Sequence, residues 1–593
     1  MLRVSELPLV ASSVLIFSLM CQLPHGVWSC APADRIALSS FADNLDAAIN
    51  GWPGAEIYTG DCCRWIGVRC RRFGAYDGLR VVSLDLAGRG FAGALPGTLA
   101  RMDELRVLNL SRNSIHGAVP PELLRMPRLR VLDLSENNLT GELGGAKPAP
   151  PDASRLVHLD ISLNNLTSLR AGVFRGLPRL RRFSAESNQL TGVVPSSLSA
   201  CSELEYLNMA NNSLHGTLGL NFSRLTRLRA LHLGWNRLSG HLPASLSRCR
   251  ELRVLNLRRN NFSGPVPSAF RRLQALSFFN IGINRVAGIA QALRTLQECR
   301  ALAVLILTSS FHGEEMPATA AGIRGFPSLR LLGIANCALR GAVPPWLRAS
   351  ARLSVLDLSW NRLAGEIPPW LGGFDSLYRI DLSNNALTGE IPLSLARLRS
   401  LAGDDAPCAQ VSMSEYGVLL YNWHVDRGQL WYDRYIPPSL DLSGNDLTGV
   451  IPPEIGGLRA LKILNLSWNA LSGPIPATLA TLSALETLDL SNNELAGEMP
   501  ASLARLTFLS CFDVSYNRLR GLVPVGGQFS TFPCSSFAGN PGLHGEYCDG
   551  NGVVGPPEHD GSFLAVGSQM FGLPFWLGTI FGLCATCLFM LLR

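Results

Sequence analysis

One pattern, L-x-x-L-x-L-x-x-N-x-L-x-G, recurs along most of this chain at a period of about 24 residues and constrains the fold more than any other feature. Clear copies begin at Leu105, Leu129, Leu353 and Leu377, and looser copies bring the total to about seventeen. A unit of this length cannot bury its apolar side alone, so neighbouring units stack on one shared core. The 593 residues are therefore expected to form one elongated array and not several globular domains.

The spacing of leucines within one unit predicts a short strand. Leu356 and Leu358 are expected to point into the core, while Val355, Asp357 and Ser359 point outward. The stacked strands are expected to form a parallel β-sheet on the concave face of an α/β leucine-rich repeat solenoid. The recurring asparagine is expected to bond backbone groups of neighbouring turns. It occupies Asn113, Asn137, Asn236, Asn260, Asn361 and Asn469.

The two ends of the chain are expected to direct it to the plasma membrane. An apolar run from Leu7 to Met20 predicts a secretory signal peptide, and Phe571 to Leu592 is apolar over a length that can span a bilayer. The expected topology is one membrane span with the N-terminus outside; a buried hydrophobic helix or a removed anchor signal is the alternative. The predicted divisions are signal peptide 1–29, N-terminal cap 30–78, repeats 79–400, island insertion 401–438, repeats 439–525, C-terminal cap 526–550, juxtamembrane linker 551–570 and transmembrane helix 571–592.

The placement of the cysteines predicts disulfide-bonded caps. Twelve of the fifteen lie outside the predicted signal and membrane segments, and secretion permits them to oxidise. Those that flank the repeats are Cys30, Cys62, Cys63, Cys70, Cys534 and Cys548. The sequence leaves their connectivity open, and a zinc site is the weaker alternative because no histidine pair lies at ligand spacing. Cysteines inside the repeats, Cys201, Cys249, Cys299 and Cys337, are expected to be small buried groups.

Charge and motif content argue against several classes of function. The formal charge is +7, but the arginines are scattered and form no basic stripe, so nucleic-acid binding is not expected. No metal-ligand spacing, nucleophile constellation or kinase signature occurs. We therefore expect no enzyme activity, no metal and no cofactor.

One stretch, Leu401–Pro438, interrupts the repeats and is called the insertion below. Its aromatic and basic residues are predicted to contact a ligand: Tyr421, Trp423, Arg427, Trp431 and Arg434. Outward strand positions beside it complete the predicted site: Asn256, Arg258, Asn280, Thr308 and Asp357. An extended peptide is a suitable ligand because its backbone can pair with a strand while its side chains meet the sheet.

The chain resembles the plant extracellular leucine-rich repeat receptors, whose units end in the same L-x-G-x-I-P. The closing stretch GGQFSTFPCSSFAGN (Gly526–Asn540) also resembles that group. Within it, LILTSSFHGEEMP (Leu305–Pro317) and ANCALRGAVPPWL (Ala335–Leu347) are similar to the phytosulfokine receptors. That resemblance implies a tyrosine-sulfated peptide bound between the island and the inner face, with Asn256, Asn280, Thr308 and Asp357 at its polar contact positions.

Two departures from that family are visible. Where those receptors place an arginine for the sulfate, this chain has Ala210, so Arg258, Arg427 or Arg434 is the hypothetical substitute. In the C-terminal cap the family's Leu-Cys-Gly is replaced by Leu543-His544-Gly545. The resemblance then implies Cys534 as the new partner of Cys548.

The resulting hypothesis is a receptor-like protein that signals through a co-receptor or adaptor kinase. Gly578 and Gly582 form a small-xxx-small pattern that permits close approach of another membrane helix. The alternative is a decoy or inhibitor that sequesters a peptide or a foreign enzyme without signalling, and a non-functional copy is a third reading.

Sequons for N-glycosylation support an extracellular exterior. Modification is predicted at Asn138, Asn165, Asn211, Asn221 and Asn261. Asn109 and Asn465 also lie in sequons, but they occupy outward strand positions where a glycan would block the groove, so we expect them to be unmodified.

Overall fold

The computed structural model describes residues 30–46, 48–49, 52, 61–73, 79–144, 154–318, 322–403 and 436–545. The predicted signal peptide, residues 404–435 of the insertion, the juxtamembrane linker and the predicted transmembrane helix lie outside these ranges.

The described residues form the predicted solenoid with a long main sheet of eighteen strands. The first strand pairs antiparallel with the second, and each later strand pairs parallel with the next along the chain, which confirms the parallel sheet. The strands are Val68–Arg72, Leu79–Asp85, Val107–Asn109, Val131–Asp133, His158–Asp160, Arg182–Ser184, Tyr206–Asn208, Ala230–His232, Val254–Asn256, Phe278–Asn280, Val304–Ile306, Leu331–Gly333, Val355–Asp357, Arg379–Asp381, Ser439–Asp441, Ile463–Asn465, Thr487–Asp489 and Cys511–Asp513.

Shorter elements complete each coil. Four small parallel sheets are formed by Ala92–Ala94, Ser114–Ala118, Asn138–Leu143 and Asn165–Leu169; His215–Thr217, Arg237–His241, Asn261–Pro265 and Arg285–Ala287; Arg340–Gly341, Arg362–Glu366, Ala386–Glu390 and Asp446–Thr448; and Ser472–Gly473, Glu494–Glu498, Arg518–Leu522 and Gly542–His544. The 3-10 helices are Cys62–Arg64, Gly97–Arg101, Leu123–Arg125, Val173–Gly176, Ser196–Ala200, Ala244–Arg248, Ser268–Arg272, Pro345–Ala349, Pro369–Gly373, Leu393–Arg397, Pro453–Gly457, Ala477–Thr481, Ala501–Arg505, Gly527–Thr531 and Cys534–Phe537. The α-helices are Pro32–Asp43, Ile289–Leu296 and Arg399–Ala402.

The insertion leaves the main sheet continuous. Asp381, on the strand before it, is paired in register with Asp441, on the strand after it. Leu401 and Ile436, at the two ends of the insertion, are buried in the core. The array therefore continues across the insertion without a break in its hydrogen-bonded ladder.

The repeat asparagines make the predicted bonds between coils. Asn361 Nδ2 donates to the carbonyl oxygens of Ile334, Leu358 and Ser359 at 2.7, 2.9 and 3.3 Å. Its Oδ1 accepts from the backbone N–H groups of Cys337 and Leu339, both at 3.1 Å. One buried amide thus satisfies five backbone groups that the sharp bend leaves without strand partners.

The N-terminal cap contains two disulfide bonds, which join the four cysteines predicted to be oxidised there, and one buried ion pair. Cys30 is bonded to Cys62 and Cys63 to Cys70. Asp34, fully buried in helix Pro32–Asp43, accepts from Arg80 Nε and Nη2, each at 3.0 Å, and from the Val81 backbone N–H at 2.8 Å. This pair ties the cap helix to the strand that starts the array.

The remaining cysteines follow the predictions as far as the structure describes them. Cys534 is disulfide-bonded, while its predicted partner Cys548 lies outside the described residues. Cys511, on the last strand of the main sheet, is an exposed free thiol. The four thiols that were predicted to be buried are buried, and burial raises the pKa of Cys201, Cys249, Cys299 and Cys337 to about 12. They are therefore inert packing groups, as predicted.

Candidate ligand-binding face

The five predicted repeat residues come together on the outward face of the main sheet. Asn256, Asn280 and Asp357 end three of five consecutive strands, and Arg258 and Thr308 follow two of those strands by two residues. We call the outward positions of these five strands, from Val254–Asn256 to Val355–Asp357, the central patch. Four strand spacings of about 4.8 Å give it a length of about 19 Å, enough for several residues of an extended peptide.

Three of the predicted contact residues already make side-chain hydrogen bonds that stabilise the fold. Asn256 Oδ1 accepts from the Arg258 backbone N–H at 3.3 Å, and Asn280 Oδ1 accepts from Gly282 at 3.0 Å. Asp357 Oδ1 accepts from the backbone N–H and hydroxyl of Ser359 at 3.1 and 2.7 Å. These bonds close the turn that follows each strand. The side-chain oxygen of each residue therefore stabilises the turn, whether or not a ligand is bound.

Other atoms of the same residues are oriented for a ligand. Within the described ranges, no acceptor is bonded to Nδ2 of Asn256 or Asn280, and buried Thr308 Oγ1 has no hydrogen-bond partner. A Cβ added at Gly333 would lie 3.4 Å from that hydroxyl. The missing side chain allows a ligand backbone to approach the sheet closely.

An apolar column runs through the central patch and was not predicted. It consists of the first residue of each of the five strands: Val254, Phe278, Val304, Leu331 and Val355. Each precedes a core leucine or, for Phe278, the core residue Phe279, so its side chain points away from the core, yet each is buried. The outward-pointing Asp357 and Ser359 are buried as well. The sequence does not mark this column, because the first strand residue is also apolar in Val107–Asn109, Val131–Asp133 and Ile463–Asn465, where it is only half-buried.

An acidic column continues from the patch toward the C-terminus. Asp357, Asp381 and Asp441 are paired in register on three consecutive strands. Arg379 Nη2 lies 3.9 Å from Asp381 Oδ2. Burial, followed by the negative charge of Asp381, raises the pKa of Asp441 to about 7.

Stability is expected to depend on pH through Asp441. In the folded state Asp441 keeps its proton up to about pH 7, whereas in the unfolded chain it releases the proton at the ordinary aspartate pKa of about 4. The stabilising contribution of Asp441 to the free energy of unfolding is therefore complete below pH 4 and is lost as pH rises through 7. Asp441→Asn should leave the melting temperature at pH 4 unchanged and stabilise the protein by about 1 kcal/mol or more at pH 8. Thermal unfolding of both proteins at the two pH values measures this, with exposed Asp446→Asn as control. An equal effect of Asp441→Asn at both pH values would contradict the prediction.

A second polar cluster, also missed, lies on the outward face N-terminal to the central patch. Asn208 Nδ2 donates to Glu186 Oε2 at 2.6 Å and lies 3.3 Å from Tyr206 Oη. The guanidinium of Arg182 lies 4.3 Å from the centre of the Tyr206 ring, and the His232 ring lies 5.4 Å from it. Burial lowers the pKa of His232 to about 4, so this imidazole is neutral at physiological pH.

The structure tests the other predicted site residues only in part. Tyr421, Trp423, Arg427, Trp431 and Arg434 lie outside the described residues. Arg258 is buried beside Gly234 and Gly282, which occupy the equivalent positions of the neighbouring repeats. Among the predicted glycosylation sites, Asn165 is half-buried and the other four are exposed. Modification stays a prediction.

Metal binding finds little support in the described part of the chain. There, one group of three potential ligands is close enough to share an ion, namely the sulfurs of Cys30, Cys62 and Cys63. All three sulfurs are already joined in disulfide bonds.

The ranges that the structure describes contain no helix with the length and apolarity to cross a bilayer.

The repeats and their sheet define a leucine-rich repeat protein, and sequence comparison agrees. Residues 80–139 and 154–214 match the family described as "Leucine rich repeat". Seven single units match "Leucine Rich Repeat": 227–249, 251–273, 352–374, 376–398, 439–458, 460–482 and 484–506.

Within that class, the similar proteins include plant receptors. The chain is 59% identical over 257 residues to phytosulfokine receptor 2 of Arabidopsis thaliana, covering 43% of this chain and 24% of the relative. It is 42% identical over 180 residues to receptor-like protein 3 of the same plant, covering 30% of this chain and 24% of the relative. The chain thus spans about a quarter of the length of these relatives. Its fold is similar to the crystal structure of a TDR receptor, with a TM-score of 0.52 and 21% identity over 79% of this chain and 93% of that one.

Proposed function

We propose that the chain is a cell-surface receptor-like protein that binds a secreted peptide between the central patch and the insertion. The observation behind this proposal is the composition of the patch: an apolar column on five adjacent strands, beside amide and hydroxyl donors of Asn256, Asn280 and Thr308 that have no acceptor among the described residues. Apolar groups contribute affinity and the polar groups select the backbone and side chains of the ligand. The similarity to phytosulfokine receptor 2 supports a peptide as the ligand.

A tyrosine-sulfated peptide is the proposed ligand class. A sulfate requires charge-assisted donors, and the family's arginine is replaced by Ala210. Arg258, on the central patch, is the proposed substitute, with Arg427 and Arg434 of the insertion as the other candidates. Signalling is proposed to require a co-receptor or adaptor kinase at the plasma membrane.

Binding of matched sulfated and unsulfated tyrosine peptides to the purified full chain tests the proposal. Asn280→Asp keeps the turn bond to Gly282 but removes the amide donor, and Thr308→Val removes the hydroxyl at nearly constant volume. Each is expected to weaken binding about tenfold, because a buried ligand acceptor loses its partner. Calorimetric titration measures the loss.

The matched control is Asn109→Asp, since Asn109 makes the same turn bond to Ser111 but lies outside the central patch. A second variant replaces residues 404–435 with a glycine-serine linker and retains buried Leu401 and Ile436, so that the core stays filled. It should lose peptide binding while the array stays folded. Equal affinity for sulfated and unsulfated peptides would reject the sulfate; equal affinity of the parent, Asn280→Asp and Thr308→Val proteins would reject the site.

A further inference from the structure

Three exposed aromatic rings form a row beside the C-terminal half of the main sheet. Trp360, Trp468 and Tyr516 are 42%, 45% and 36% exposed. Each lies three residues after the end of its strand, in the strands Val355–Asp357, Ile463–Asn465 and Cys511–Asp513. We call these three residues the aromatic row.

The backbone at these positions does not favour aromatic residues. Their φ angles are 54°, 54° and 52°, in the left-handed region that glycine and asparagine tolerate best. The three intervening repeats have Asn384, Gly444 and Asn492 at the same position, with φ of 52°, 61° and 54°. The fold therefore requires the left-handed turn but not the rings. Each residue keeps 36–45% of its surface exposed, so part of each ring is open to a ligand.

The strand register sets the spacing of the row. Six consecutive strands run from Val355–Asp357 to Cys511–Asp513, and the rings follow the first, fourth and sixth of them. With about 4.8 Å between strands, the rings are separated by about 14 and about 10 Å along the sheet. An extended β-1,4-linked glucan advances by nearly one strand spacing per sugar. Sugars one, four and six of a hexamer then lie over the three rings. Either face of a glucose ring offers C–H groups that can stack on an aromatic ring.

Polar groups beside the row match a neutral sugar chain. Carboxylates of Asp441, Asp489 and Asp513 lie on the adjacent column of the sheet, each half-buried. Their oxygens can accept hydrogen bonds from sugar hydroxyls, and a neutral chain places no negative charge beside them. The amides of Asn384 and Asn492 lie between the rings and provide further donors and acceptors.

We propose that the aromatic row binds a linear, neutral β-1,4-linked glucan, with one sugar per repeat across six repeats. This is independent of the proposed peptide function. A protein partner fits the row less well, because a protein interface needs a contiguous apolar core, whereas these rings are isolated from one another by amides and a glycine.

Calorimetric titration of the purified full chain with cellohexaose tests the proposal. Cellohexaose should bind, cellotriose, which covers only two rings, should bind about tenfold more weakly, and maltohexaose, the α-linked isomer with a curled shape, should not bind. Trp468→Asn places at this turn a residue that the fold already uses there, so the variant should fold with an unchanged or higher melting temperature. It should lose about tenfold in affinity for cellohexaose, and the triple variant W360N/W468N/Y516N should lose binding entirely.

Phe508→Ala is the matched control, because Phe508 is 68% exposed but lies outside the row, and it should bind as the parent does. The proposal is overturned if cellohexaose does not bind, if maltohexaose binds equally well, or if the triple variant retains binding while its melting temperature shows that it is folded.

Discussion

Replacement of Asn361 by alanine is expected to lower the free energy of unfolding by about 3–5 kcal/mol. The side chain makes three donor and two acceptor bonds to buried backbone groups, and alanine supplies none of them. Those groups then stay unpaired or admit water into the coil. Urea denaturation of parent and variant measures the loss.

Hydrogen exchange adds a local test of the same variant. The amides of Cys337 and Leu339, which donate to Asn361 Oδ1, should lose protection first. The control is Asn138→Ala, because Asn138 is exposed on strand Asn138–Leu143 of a small sheet and is not one of the repeat asparagines. If both variants lose equal stability, the buried bonds are not the cause.

Asp34→Asn is expected to destabilise the protein by about 3 kcal/mol or more, because it breaks a buried ion pair by removing one partner. Asp34 is fully buried and accepts three hydrogen bonds, two from Arg80 and one from the Val81 backbone. The asparagine side chain has the same shape, but its NH2 group would face the N–H donors of Arg80 or Val81 that now bind the carboxylate. Arg80 would keep only Asp103, an exposed carboxylate that it also contacts.

A double-mutant cycle with Arg80→Gln separates the pair from general damage to the cap. The double variant should be less destabilised than the sum of the single variants, because neither buried partner is then left alone. Exposed Asp46→Asn is the control. Strict additivity of the two single effects would show that the ion pair contributes nothing.

The repeat pattern predicted the coil geometry well because each position has one physical task. Leucines at spacings of two fill the core, and asparagine closes the bend, so the seventeen parallel strands of the main sheet match the expected number of repeats. The caps were harder to predict. Ile36 is 51% exposed, whereas Ala37, Leu38 and Phe41 on the same helix are buried. Helix Pro32–Asp43 presents one narrow face to the first coil, and sequence periodicity alone left the phase of that face open.

The candidate site was predicted less completely than the coils. The residues Asn256, Asn280 and Asp357 were chosen for their polar side chains, but each uses one oxygen to close its own turn. The apolar column from Val254 to Val355 was not predicted, because an outward strand position does not by itself indicate burial. Burial of a side chain on an outward face depends on what the rest of the chain places near it, which no local pattern records.

The sequence by itself determined the architecture, because a 24-residue period with leucines two apart can bury its apolar atoms only by stacking in parallel. Tertiary structure decided which outward residues meet. Strand register joins Asp381 to Asp441 across an insertion of 38 residues, and it sets the distances between Trp360, Trp468 and Tyr516. Those relations depend on the strand spacing and on how each coil aligns with the next, and both arise only when the coils pack.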